Sequence, residues 1–77
     1  MIRESWVVEA SYNEEAVAAK LKRVVRKPVS FSGGGGRWMR DIGWTYTTKR
    51  AAFAAAKRLR ARCRVPVEVF DLGAEGM

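Results

Sequence analysis

Histidine is absent from this 77-residue chain, cysteine occurs once and proline twice. Without histidine neither a Ser-His-Asp nor a Cys-His nucleophile can be assembled. One cysteine without histidine also falls short of the ligand sets of a zinc site. A single thiol excludes an internal disulfide and fits a reducing, cytoplasmic compartment. No apolar run approaches the roughly 20 residues of a membrane-spanning helix, and residues 1–10 carry acids but no apolar stretch of the signal-peptide kind. Acids are scarce as well: eight Asp and Glu stand against fifteen Lys and Arg, for a net charge of +7.

These absences bear on catalysis. Asp41 and Asp71, or Glu9 and Glu68, approach one another across a sheet, but a carboxylate pair alone is generic. A pocket of several hundred Å³ is not expected in so short a chain. The chain therefore reads as non-enzymatic, with no cofactor, no metal and no small-molecule substrate.

What is present is a globular balance: 48% apolar and 30% charged residues, enough for a single small domain. Three tryptophans supply core area, about 150–250 Å² each when buried. Trp6 and Trp44 read as core, while Trp38 is the one expected to be partly exposed.

The pattern predicts a strand from Glu4 to Ala10, with Trp6 and Val8 on one face. Ser11 and Glu14 have the spacing of a capping box ahead of a helix from about Tyr12 to Lys27, whose apolar stripe is Val17, Leu21, Val24 and Val25. Pro28 ends it. Val29 to Ser32 reads as a second strand, with Val29 and Phe31 inward. Gly33 to Gly36 then read as a flexible hairpin connection. The third strand, Arg37 to Thr47, sets Trp38, Ile42, Trp44 and Tyr46 on the core parity. Arg40 shares that parity, which a bulge near Gly43 would resolve.

Thr47 or Thr48 caps a second helix reaching Arg64, with a small buried stripe of Ala52, Ala56, Leu59 and Cys63. Val65 to Asp71 is a last strand, Val67 and Val69 inward, with Pro66 marking an edge or a strand start. Residues 72–77 read as a frayed tail. The order β-α-β-β-α-β predicts a single α+β, ferredoxin-like domain: one four-stranded antiparallel sheet, order 4-1-3-2, with both helices on one face.

The charge is concentrated. Residues 37–77 hold nine bases and four acids, and from Lys49 to Arg64 seven bases occur without an acid. No i,i+4 ion pair explains that run. Clustered Lys and Arg neutralise phosphates and release counterions; the plainer reading is a solvated face that keeps a small protein soluble. The nucleic-acid reading assigns phosphate contacts to Lys49, Arg50, Lys57, Arg58, Arg60 and Arg62, joined by Arg37 and Arg40 from the hairpin. In this fold the outer arc of the first helix (Lys20, Lys22, Arg23, Arg26, Lys27) would merge with that of the second.

Two familiar phosphate and RNA signatures fail. The glycines join two strands and no Lys-Ser or Lys-Thr follows them, unlike a P-loop. The third strand does not match the aromatic pattern of an RNA recognition motif. In being short and rich in Ala, Arg, Val and Gly, the chain resembles the small accessory proteins encoded by bacterial viruses of high-GC hosts. That resemblance implies a protein that works by binding a host or viral macromolecule. The partners expected are nucleic acid or, as the alternative, an acidic host protein that the chain would inhibit or adapt. A further alternative is self-association, as a homodimer, through the open sheet face or an edge strand.

Overall fold

The computed structural model describes residues 6–34 and 39–72. Strand β1 (Trp6–Tyr12) lies at the centre of the sheet, followed by helix α1 (Glu15–Val25). Strands β2 (Phe31–Gly34) and β3 (Arg40–Tyr46) come next, then helix α2 (Lys49–Cys63) and strand β4 (Val67–Asp71). The sheet order is β2-β3-β1-β4, antiparallel throughout, which is the ferredoxin-like α+β arrangement.

Alternation along the strands produces the core. Val8, Ala10 and Tyr12 of β1 share a face with Ile42 and Trp44 of β3 and Val67 of β4, and all six are buried against the helices. Trp44 is the largest fully buried side chain among the described residues, and its indole N–H donates to the Lys27 carbonyl at 3.1 Å. Opposite it, α2 presents Ala52, Ala55, Ala56 and Leu59. Small residues on the helix meet large ones on the sheet, which lets the two layers approach closely. Cys63, at the end of that stripe, is only half-buried. Trp6 is half-buried and packs edge-on against the exposed Phe53 ring, centroids 6.2 Å apart.

Several local signals are overridden by tertiary pairing. Ser11 does not cap α1. It stays in β1, its backbone N–H bonded to the Pro66 carbonyl at 3.1 Å and its hydroxyl donating to Asp41 Oδ1 at 2.9 Å. The helix N-cap is Glu14, whose side chain makes no capping bond. At α2 the expected cap holds: Thr48 Oγ1 accepts from the Ala51 N–H at 3.2 Å.

Strand β3 contains no bulge. Its register with β1 runs unbroken from Trp6↔Tyr46 to Tyr12↔Arg40. Arg40 does share the apolar parity, but it stands at the strand end, where its guanidinium reaches Glu15 Oε1 at 2.7 Å.

Phe31 does not face inward. It pairs with Gly43, whose neighbours Ile42 and Trp44 hold the inner face, so its ring lies on the outer face. The ring covers Gly43, and a Cβ there would collide with it. Gly33 and Gly34 extend β2 instead of forming the hairpin tip. Gly35 and Gly36, and Trp38 after them, lie outside the described residues.

Among the described residues the outer face carries three acids. Glu9 sits opposite Glu68 on β4 and diagonal to Asp41 on β3. Partial burial, then the charges of Asp41 and Glu68, push the Glu9 carboxyl above the usual carboxylate range. Val7 is buried on this same face, between Thr45 and Phe70 in register. Among the described residues, Glu9, Asp41 and Glu68 thus gather on the sheet face turned away from the helices.

Candidate nucleic-acid interface

Basic side chains from both helices converge on one groove. It is an open depression of about 750 Å³ lined by Lys20, Arg23, Val24, Val25 and Arg26 from α1 and its cap, and by Arg58 and Arg62 from α2. Five of the seven lining residues are cations and none is an acid. Helical spacing explains the assembly. Lys20, Arg23 and Arg26 recur every third residue along α1, and Arg58 and Arg62 lie one turn apart on α2, so each set projects from one side of its helix. A depression of this volume exceeds what the chain length led one to expect, because it is an open trough between helices and not an enclosed pocket.

The sequence-predicted residues divide accordingly. Arg58 and Arg62 line the groove. Lys49, Arg50 and Lys57 are exposed on α2 but outside it, with the Lys49 ammonium 5.8 Å from the Phe53 ring centroid. Arg60 turns toward the sheet, where Nη2 donates to the Val67 carbonyl at 2.7 Å; its role here is structural. Arg40 is paired with Glu15, away from the groove. Arg37 lies outside the described residues. Three groove cations, Lys20, Arg23 and Arg26, were not assigned phosphate contacts from the sequence; their three-residue spacing along α1 was the signal that would have found them.

Arg26 has an unusual backbone. It ends α1 in the left-handed region, φ 56° and ψ 32°, with its N–H donating to the Lys22 carbonyl at 3.1 Å. Arg64 ends α2 the same way, at φ 52° and ψ 43°. Glycine is the usual residue in such caps, since a Cβ in this conformation costs about 1–2 kcal/mol. Cations near a helix C-terminus recover about 0.3–1 kcal/mol of that. Arg26→Gly is therefore expected to stabilise the fold by about 0.5–1 kcal/mol, a rise of several degrees in Tm for a domain of this size, while removing a groove cation. Arg64→Gly should give a similar rise without touching the groove. Thermal melts, and binding titrations of both variants against a nucleic acid, check the pair.

No family model matches the chain, and no curated protein or solved structure is detectably similar to it.

Proposed function

We propose that the protein is a small, non-enzymatic nucleic-acid-binding module that grips the phosphate backbone in the groove between α1 and α2. The observation that carries this reading is the convergence of five cations from two helices on one trough with no acid in its lining. Coulomb repulsion among them is unfavourable in the free protein and is relieved by a bound polyanion. The groove contains no aromatic side chain on which a base would stack. Contacts of this kind hold the backbone in place and carry no sequence information.

Binding is tested by fluorescence anisotropy with duplex DNA, single-stranded DNA and RNA across a salt series. Five phosphate contacts give a slope of log K against log salt of about −4.5 for a duplex and about −3.5 for a single strand. Failure of all three nucleic acids to bind at about 50 mM salt would sink the proposal. In that case affinity capture from nuclease-treated lysate tests the acidic-protein reading.

A further inference from the structure

The two edges of the sheet are unlike. At the β4 edge, Pro66 precedes the strand, Arg60 bonds the Val67 carbonyl, and Glu68 is exposed. Proline, charge and a covering side chain are the devices by which proteins block pairing at an edge. Among the described residues of β2 none of them is present. Phe31, Ser32, Gly33 and Gly34 carry no charge, and the strand has β3 as its sole neighbour in the sheet.

Gly33 sharpens the contrast. Glycine weakens a strand, and within one it often marks the close approach of another backbone. Gly43 is explained inside the chain, because the Phe31 ring occupies the space of its Cβ. Gly33 is not: its backbone is not left-handed, and a Cβ there would meet nothing within 4 Å. Among the described residues nothing calls for glycine at this position.

We infer that β2 is a homodimer edge, pairing antiparallel with β2 of a second copy about a two-fold axis at Ser32. Register follows from side-chain parity. Paired residues in an antiparallel ladder share a face, and Phe31 and Gly33 both face outward. A two-fold at Ser32 sets Phe31 of each copy beside Gly33 of the other. That repeats across the interface the arrangement already seen between Phe31 and Gly43, an aromatic ring shielding a bare glycine. The contact is isologous and closes at two copies, leaving the guarded β4 edges outermost. A two-fold between antiparallel strands is perpendicular to the sheet. All four helices therefore lie on one side of an eight-stranded sheet, and both grooves face the same way. The inference does not rest on what the grooves bind.

Sedimentation equilibrium over about 10 µM to 1 mM protein tests it. A strand-edge dimer of four residues per side is expected to dissociate within that range. Both copies carry +7, so their association should strengthen with salt as repulsion is screened, opposite in sign to nucleic-acid binding. Gly33→Lys puts a bulky charge into open space in the monomer but against Phe31 of the second copy in the dimer. It should weaken association at least about 10-fold. Ala61→Lys adds the same charge on exposed α2 and should leave association within about 2-fold, since a rim charge is largely screened. A mass of 8.6 kDa at every concentration and salt, or a dimer that Gly33→Lys leaves intact, overturns the inference.

Discussion

Trp44→Ala is expected to remove about 3–5 kcal/mol of stability, a large share of what a domain of this size holds. The indole is completely buried, stands at the centre of β3 opposite Val8, and anchors the chain after α1 through its bond to the Lys27 carbonyl. Truncating a buried tryptophan to alanine costs about 3–5 kcal/mol, part of it the transfer of the lost surface and part the cavity left behind. A domain of this size has about 4–12 kcal/mol in total. The neighbouring α2 face, built of alanines and Leu59, has no long side chains that could swing in and refill the space.

Phe53→Ala is the comparison. Phe53 is 45% exposed and packs edge-on with Trp6, so its loss should cost about 1 kcal/mol, the scale of one aromatic pair. Urea unfolding followed by far-UV circular dichroism distinguishes the two. If Trp44→Ala costs no more than Phe53→Ala, the core is not organised around Trp44. Trp44→Phe separates the contributions further: it keeps much of the volume but removes the indole N–H that donates to the Lys27 carbonyl, a loss of about 1 kcal/mol.

The core was legible because its signals were strong and redundant. Ile42, Trp44 and Tyr46 alternate with polar or small residues in β3, and Ala52, Ala56 and Leu59 repeat at helical spacing. Each periodicity selects one face with little local competition. Weaker signals were decided by partners distant in sequence. Ser11 and Glu14 have capping-box spacing, yet bonds to Asp41 and Pro66 hold Ser11 in β1. Phe31 sits in a four-residue strand too short to show a period; its side is set by register with β3, where Gly43 leaves room for the ring. Arg40 looked like an inconsistency in the strand pattern. It is an ordinary strand-end residue whose charge is met by Glu15, a residue 25 positions earlier.

The same division applies to the groove. That α2 is strongly basic was plain in the sequence. Which of its cations work together was not, since this depends on where α1 lies. The packed structure withdraws Arg60 to a β4 carbonyl and brings Lys20, Arg23 and Arg26 beside Arg58 and Arg62.

Reversing one groove cation on each helix, Arg23→Glu with Arg58→Glu, should reduce affinity for a short duplex about 100-fold at 0.1 M salt. Each lost phosphate contact forfeits nearly one decade at that salt, and the introduced carboxylates repel the backbone as well. Net charge falls from +7 by four units to +3. A general loss of attraction would weaken binding too, so the informative control is a pair with the same charge change. Lys22→Glu with Lys57→Glu also gives +3, at exposed positions on the same two helices that do not line the groove. If binding is a property of the groove, the control should lose less than about 10-fold, through the screened long-range field alone. Its salt slope should stay near −4.5, while that of the groove pair falls to about −2.7, the value for three contacts. Circular dichroism of both variants guards against a folding defect, since a carboxylate at Arg23, in the last turn of α1, opposes the helix dipole by about 0.3–1 kcal/mol. Equal losses in the two pairs would mean that the positive face attracts polyanions diffusely and that the trough between the helices is not a site.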